Sequence, residues 1–201
     1  AWHDLVYDQS LINQLNKCKI IVRVGVGFDN VDLDAAKKAK IIVSNVPDYG
    51  TEDVANHAIS LILGLNRQLS NYHDSVFQSK KWDWNLGIGL RRLNDLTLGV
   101  IGCGRIGTAL IQRARVFGMK IIFYDPYISR GFEKSLQVER AMELKDLTEI
   151  SDIISFHVPL NHETRLMADD SFFSSLKKDC TIINTARGEL IDLDCLYEAM
   201  R

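Results

Sequence analysis

The sequence predicts an α/β protein built on a doubly wound parallel sheet, with part of a second domain in front of it. Two observations predict this class. A glycine-rich turn at residues 102–107 joins a short apolar run to a helix-periodic segment, and a second apolar run follows. Further apolar runs at residues 152–157 and 181–184 alternate with helical patterns, which is typical of parallel strands covered by helices on both faces.

The glycine turn has the spacing of a phosphate-binding loop. Gly102 permits a tight turn out of the strand over residues 98–101, and Gly104 lets a pyrophosphate approach the backbone. Gly107 allows the helix to pack closely on the strand. The N–H groups at the start of that helix favour a phosphate.

An acidic residue ends the second strand. Asp125 follows the run over residues 119–124 and lies 18 residues after Gly107 (125 minus 107). Its carboxylate can accept hydrogen bonds from a ribose diol and repels a 2′-phosphate, which favours NAD over NADP, although the nearby Arg130 weakens that preference. Strand, turn, helix and acid together favour a dinucleotide site over a glycine-rich turn that binds no nucleotide.

Composition narrows the class of protein. The 201 residues suffice for one large or two small domains, and the formal net charge of −2, without a basic stripe, argues against a nucleic-acid partner. No apolar run approaches the ~20 residues of a membrane span, and no signal peptide is recognisable. The four cysteines show neither paired nor metal-ligand spacing, so we expect free thiols, no metal and a cytoplasmic location.

Residues 1–48 predict an incomplete domain. Strands are expected over residues 19–24 and 41–43, and helices over residues 8–16 and 32–38, the latter capped by Asp32. Two parallel strands would leave apolar edges unpaired, so we expect the missing strands to precede residue 1. Gly25, Val26 and Gly27 offer backbone N–H groups for an anion, and Arg23 either binds a carboxylate beside them or is a solvent-exposed strand-end residue.

Residues 49–201 are expected to form the cofactor domain, incomplete at its C-terminus. They open with a long helix over residues 52–71, with Thr51 as a plausible N-cap and a wide apolar face that suits a domain or subunit interface. An irregular arm over residues 80–92 carries Trp82 and Trp84. These tryptophans suit either an interface or packing onto their own domain.

Ligands of doubly wound sheets bind beyond the carboxyl ends of the strands. Besides the glycine turn and Asp125, that rim receives residues 157–159 and 185–187. Arg187 can orient a substrate carboxylate and polarise a carbonyl, or it can cap its own loop. His157 can act as a base, but a histidine followed by Val158 and Pro159 is better suited to line the adenine side.

These motifs together resemble the D-isomer-specific 2-hydroxyacid dehydrogenases over nearly the whole chain. The matching segments are residues 22–32, 45–47, 98–107, 157–160 with 163–164, and 184–188 with 192. The resemblance implies a Rossmann cofactor domain and a partial flavodoxin-like substrate domain. Residues 28 and 123–127 look most like the branch that contains the C-terminal-binding-protein corepressors.

The resemblance also implies residue roles. Arg187 matches the catalytic arginine, and the substrate carboxylate is expected at Arg23, Val26 and Gly27. The remaining matches are cofactor contacts, at Gly102, Gly104, Arg105, Ile106, Gly107, Asp125, His157, Val158, Pro159, Thr164, Thr185, Ala186 and Arg187. The implied activity is hydride transfer between NAD and a small 2-hydroxy or 2-oxo acid, in a homodimer formed by the long helix and the tryptophan arm.

Two departures from the family pattern stand out. Asn56 occupies a position where glutamate is common. The family's catalytic glutamate and histidine are expected beyond residue 201, so we expect this chain alone to be nearly inactive. The alternative is an NAD-dependent dimerising scaffold with little turnover, while a formate dehydrogenase is a weaker match because its substrate-loop residues are not recognisable.

Overall fold

The computed structural model describes residues 4–201, so the predictions for residues 1–3, including the start of the first domain and His3, lie outside it. Within these residues the strands form two parallel sheets, one of two strands and one of five. The doubly wound parallel sheet is confirmed. None of the helices described over residues 4–201 is long and apolar enough to cross a membrane.

The smaller unit pairs strand β1 (Ile20–Val22) with strand β2 (Ile42–Ser44) in parallel. Helices α1 (Gln9–Gln14) and α2 (Leu33–Lys38) flank them. The predicted cap is confirmed, because Oδ1 of Asp32 accepts a 2.8 Å hydrogen bond from the amide of Ala35. Its apolar centre is small and consists of Ile12, Ile21, Ala35, Ala36 and Ile41.

The five-stranded sheet has the order β5-β4-β3-β6-β7, and every neighbouring pair is parallel. Its strands are β3 (Thr97–Ile101), β4 (Lys120–Tyr124), β5 (Glu139–Arg140), β6 (Ile153–Phe156) and β7 (Thr181–Asn184). The central strands are the continuous apolar runs of the sequence. Strand β5 was not predicted, because two polar residues at a sheet edge carry no apolar pattern.

Helices cover both faces of this sheet. Helices α3 (Thr51–Asn66) and α5 (Arg105–Val116) lie on one face, where Ile62 and Leu110 are fully buried with Val100. On the other face, α7 (Leu144–Thr148) and α8 (Asp170–Ser174) bury Leu147 and Phe172 against the sheet. Helix α6 (Phe132–Leu136) lies between β4 and β5 in the chain, and α9 (Leu193–Ala199) packs beside α8.

The prediction of one uninterrupted helix over residues 52–71 is wrong. Helix α3 ends at Asn66, Gln68 adopts the left-handed conformation with φ 55°, and a separate helix α4 (Leu69–His73) follows. The apolar spacing continues across the break, so periodicity alone could not reveal it. Thr51 is the first helical residue rather than the N-cap, because its hydroxyl donates to Asp48 and the cap position falls on Gly50.

Helix α3 is fixed to α5 through the residue that departs from the family pattern. Nε of Arg113 donates to Oδ1 of Asn56 at 2.7 Å, and its Nη2 pairs with the carboxylate of Glu52. An amide at position 56 therefore accepts from the guanidinium while Glu52 supplies the negative charge.

The tryptophan arm is bound to its own domain through its backbone, since Asn66 donates to the carbonyl of Arg91 and Ser75 to that of Lys81, but its large side chains are left exposed. Trp82 and Trp84 are 81% and 67% exposed, and Leu65, Leu69, Phe77 and Ile88 are also exposed nearby in sequence. Only a short 3-10 turn (Trp84–Gly87) is regular within residues 80–92. Residues 65–88, which run from the end of α3 to Ile88, are called the apolar arm below.

Asp152 ties together the amino-terminal ends of the two central strands. Its Oδ2 accepts from the amide of Thr97 at 2.8 Å, and its Oδ1 accepts from Arg91 at 2.7 Å and Lys177 at 3.2 Å. Burial acts to raise the pKa of Asp152, but these three donors outweigh it and hold the pKa below its ordinary value.

Asp152→Asn should lower the free energy of unfolding at pH 7 by about 1–3 kcal/mol, because it removes a charged acceptor of three donors. A folded-state pKa below the unfolded one gives stability that is present above the unfolded value and lost as the pH falls through the folded one. The difference in urea midpoint between the two proteins should therefore narrow below pH ~4. The exposed Asp179→Asn is the control. An equal loss in both variants would contradict the assignment.

Candidate active site

A cleft of about 450 Å³ lies where the carboxyl ends of the strands of both sheets meet. The loops after β1, β2, β3, β6 and β7 line it. The structure brings most of the predicted residues together in this lining, namely Arg23, Val26, Gly27, Gly104, Arg105, Ile106, His157, Val158, Pro159, Thr185, Ala186 and Arg187.

Four predicted residues stand behind the cleft rather than in its lining: Gly102, Gly107, Asp125 and Thr164. The glycines shape the turn and Asp125 braces it, as described next. The hydroxyl of Thr164 donates to the carbonyl of Pro159 at 2.6 Å and accepts from the amide of Asn161. Thr164 therefore holds the loop that presents Pro159 to the cleft.

The glycine turn leaves room where a phosphate is expected. A Cβ at Gly107 would lie 2.0 Å from the carbonyl oxygen of Gly102, so the helix approaches the strand as closely as the backbone permits. Gly102 has φ 91°. In contrast, a Cβ at Gly104 would meet nothing within 4 Å, and this residue caps α5 without a side-chain hydrogen bond. The first N–H groups of α5 are thus presented to the cleft without a competing side-chain cap.

Asp125 braces the turn from the end of β4. Its Oδ2 accepts from the amide of Cys103 and its Oδ1 from the amide of Tyr127, both at 2.9 Å. Arg140 donates to the carbonyl oxygens of Asp125 and Ile128, each at 2.9 Å, and so fixes the loop that follows. A carboxylate has about four lone-pair sites, so Asp125 keeps acceptor capacity for ribose hydroxyls.

Arg23 is buried rather than solvent-exposed, so the alternative of an exposed strand-end arginine is wrong. Its Nη1 donates to the carbonyl of Val24 at 2.6 Å, and a Cβ at Gly25 would lie 1.6 Å from that nitrogen. The side chain therefore folds back over Gly25 and borders the cleft.

Two buried polar atoms of lining residues have no hydrogen-bond partner in the described part of the chain, Nε of Arg23 and Oγ1 of Thr185. A buried donor without a partner costs about 1–3 kcal/mol, so such groups are expected to meet a ligand. The cationic donor suits an anion and the hydroxyl suits a polar ligand group. Together with the open space at Gly104, these two atoms fit a ligand with anionic and polar groups, such as a dinucleotide.

Arg187 faces the cleft and caps its own loop at the same time. Its Nε donates to both carboxylate oxygens of Asp29 at 3.1 and 3.2 Å, and its Nη2 donates to Oδ1 at 2.8 Å. Its Nη1 donates to the carbonyl of Ala186 at 2.9 Å. Asn184 fixes the loop by accepting from the amide of Ala186 and donating to the carbonyl of Arg187.

Asp29 is ionised beside this arginine. Burial acts to raise the pKa of Asp29, but the hydrogen bonds and charge of Arg187, with a smaller contribution from Arg23, hold the pKa below its ordinary value. The cleft therefore holds two guanidinium groups and one carboxylate at this end.

His157 lines the cleft as a neutral side chain. Burial lowers its pKa to about 4, and its Nε2 lies 2.8 Å from the hydroxyl of Ser155. An imidazole with that pKa is uncharged at neutral pH and keeps a single ring N–H. This environment favours a wall of the cofactor side over a catalytic base.

Sequence reasoning missed several lining residues, namely Phe28, Asp29, Asn45, Pro47, Tyr49, Gly50, Val54 and Leu160. Asn45 donates from Nδ2 to the carbonyl of Val26 at 2.7 Å and so fixes the loop after β1. The signal was available, because Asn45 and Pro47 directly follow β2 and the rule for strand ends applies to the smaller sheet as well.

Comparison with known proteins shows which family the chain resembles. Residues 59–201 match the family model described as D-isomer specific 2-hydroxyacid dehydrogenase, NAD binding domain. The chain is 40% identical over 193 residues to D-3-phosphoglycerate dehydrogenase of Methanocaldococcus jannaschii, and 36% identical over 192 residues to the protein of that name in Bacillus subtilis. Each alignment covers 96% of this chain and 36% of the relative, so the chain spans about a third of their length.

Among solved structures, a D-lactate dehydrogenase from Aquifex aeolicus in complex with NAD and lactic acid matches with a TM-score of 0.88 and 39% sequence identity. The match covers 98% of this chain and 59% of that one. NAD is therefore the cofactor class of this domain, as the sequence predicts.

Two alanine substitutions in the turn should separate cofactor binding from folding. Gly104→Ala should leave the melting temperature unchanged and weaken NAD binding about 10-fold or more, because its methyl group occupies the space for the pyrophosphate. Gly107→Ala should lower the melting temperature, because its methyl group meets the backbone of Gly102. Calorimetric titration with NAD and thermal unfolding measure the two effects, and unaltered NAD affinity in Gly104→Ala would refute this placement.

Proposed function

Because the chain belongs to the D-isomer-specific 2-hydroxyacid dehydrogenase family, we propose that the full protein interconverts a small D-2-hydroxy acid and its 2-oxo acid. The observation that carries this proposal is the pairing of two arginines with one cofactor cleft. Arg23 and Arg187 border the end of the cleft beside Val26 and Gly27, and the glycine turn borders the other part of the lining. When bound, NAD supplies or accepts the hydride.

Each residue then has a defined task. Arg23 and the backbone of Val26 and Gly27 bind the substrate carboxylate, in keeping with the unpartnered Nε of Arg23. Arg187 polarises the carbonyl at C2 as negative charge develops on its oxygen. Arg105, Ile106 and the start of α5 receive the pyrophosphate, Asp125 the ribose, and residues 157–159 and 185–186 line the cofactor.

The proton is exchanged by a group outside the described lining. His157 is the histidine of that lining, and its low pKa and its contact with Ser155 suit it poorly to pass a proton at neutral pH. The relatives are far longer than this chain. We propose that the acid–base histidine and its glutamate correspond to the part of the relatives' length that this chain does not span.

The four cysteines indicate the compartment in which the protein works. All four cysteines are unpaired, which supports a reducing compartment such as the cytoplasm.

An NAD-dependent scaffold with little turnover is not favoured, since both curated relatives carry dehydrogenase names and the substrate end of the cleft keeps its arginines.

Arg187→Gln in the full protein should lower kcat/KM for pyruvate or glyoxylate about 10²–10³-fold, because the group that stabilises the developing oxyanion is lost. NADH affinity should change far less, since the glycine turn is untouched. Absorbance of NADH during 2-oxo acid reduction gives the rate. Arg165→Gln, on the loop after β6 but outside the cleft lining, is the control. Full activity in Arg187→Gln would remove this residue from the mechanism.

We also propose that the apolar arm pairs with a second copy of the chain. Large aromatic side chains exposed along one segment are typical of an interface rather than of a free surface. Trp82→Asp with Phe77→Asp should therefore turn a dimer into a monomer in sedimentation velocity. Val116→Asp, at an 84% exposed apolar residue on α5, is the matched control and should leave the mass unchanged. A wild-type monomer would overturn this proposal.

A further inference from the structure

The ion pair between Asp29 and Arg187 joins the two sheets across the cleft. Asp29 lies on the loop after β1, in the smaller unit, and Arg187 follows β7 in the larger one, 158 residues later. Their side chains are only 26% and 33% exposed, so solvent screens the pair less than it screens a surface ion pair. The sequence motifs assigned a role to Arg187 but none to its partner.

The hydrogen bonds of Arg187 leave a specific part of its guanidinium group available. The group has five N–H donors in a fixed plane. Nε and one N–H of Nη2 are directed to Asp29, and one N–H of Nη1 is directed to the carbonyl of Ala186. One N–H therefore remains on each terminal nitrogen. Two such groups form a fork that matches a carboxylate or a carbonyl oxygen.

We propose that Asp29 is a positioning residue, which fixes the plane of the Arg187 guanidinium so that its two remaining N–H groups face the acid. This inference rests on the proposed function and goes one step beyond it. A carboxylate that binds Nε and Nη2 together removes the rotation that a flexible arginine otherwise keeps. Positioning of this kind matters because a displacement of ~1 Å in a reacting group can cost 10²-fold in rate.

Gly27 supports the assignment because its missing side chain lets the ion pair approach the backbone closely. A Cβ at this position would lie 1.9 Å from Nη2 of Arg187 and 2.8 Å from Oδ1 of Asp29. The ion pair thus lies directly against the backbone that is proposed to receive the substrate carboxylate. Asp29 also offsets one of the two arginine charges, so the substrate end carries one net positive charge, which suits a single carboxylate.

The experiment compares Asp29→Ala, Asp29→Asn and Asp29→Glu in the full protein, with Asp34→Asn as the control on an exposed residue of the same unit. Reduction of pyruvate and glyoxylate by NADH gives kcat and KM, and calorimetry gives the NADH affinity. Asp29→Ala should lower kcat/KM about 10–100-fold with NADH affinity within about twofold. Asp29→Glu should recover part of the loss, and Asp34→Asn should match the wild type.

A second set of variants separates a positioning role of Asp29 from a general structural effect of its removal. Lysine at position 187 cannot form the planar fork, so Asp29→Ala added to Arg187→Lys should lower kcat/KM by less than about twofold. Where Asp29→Ala does not fold, Asp29→Asn serves in both arms, because it keeps the shape and loses the charge. An undiminished effect in the Arg187→Lys background would overturn the proposal. So would a gain in substrate affinity on removal of Asp29, which would mean that Asp29 competes with the acid.

The proposed function can fail separately. If the wild-type protein binds NADH but reduces neither acid, the activity assignment falls. The positioning role is then read from binding of oxamate, an acid amide shaped like a 2-oxo acid, to the NADH-loaded protein. Asp29→Ala should weaken that binding about 10-fold, and equal affinity in the wild type and the variant would overturn the inference.

Discussion

The close contact between α5 and β3 is the constraint on which one half of the cleft depends. This half, called the nucleotide half below, is lined by the glycine turn and is where we propose that NAD binds. The space above the carbonyl of Gly102 admits only a glycine at position 107, so the helix begins directly over the end of the strand. That placement aims the first N–H groups of α5 at the cleft and brings the amide of Cys103 to the carboxylate of Asp125. One steric requirement thereby fixes the N-terminus of α5 and the carboxylate of Asp125 relative to each other.

The nucleotide half could be read from the sequence because its information is local. Strands β3, β4, β6 and β7 are continuous apolar runs, and the glycine spacing gains its meaning from the strand before it, the helix after it and Asp125 at the end of the next strand. The left-handed turn at Gln68 and the two-residue strand β5 could not be read in this way, because polar or ordinary residues adopt these conformations only within the folded protein.

The other half of the cleft, where we propose that the substrate binds, is built from residues that lie far apart in the sequence. Asp29 and Arg187 are neighbours only because the loops after β1 and β7 meet, and no periodic pattern links positions 158 residues apart. Arg23 illustrates the same limit. Its position at a strand end was evident, but its burial and its unpartnered Nε follow from the way it folds over Gly25.

The two halves of the cleft therefore differ in the structural units that form them. The larger unit builds the glycine turn, Asp125 and the loop of residues 157–159 by itself, and helices on both faces bury its sheet. The end of the cleft that we propose for the substrate needs the smaller unit as well, whose apolar centre is small. In the proposed function, a disturbance of the contact between the units would change the angle of Arg187 toward the acid, whereas the glycine turn lies wholly within the larger unit. In the proposed function, cofactor affinity and the orientation of Arg187 therefore depend on different contacts, and the ion pair between Asp29 and Arg187 is the contact that joins the two units at the cleft.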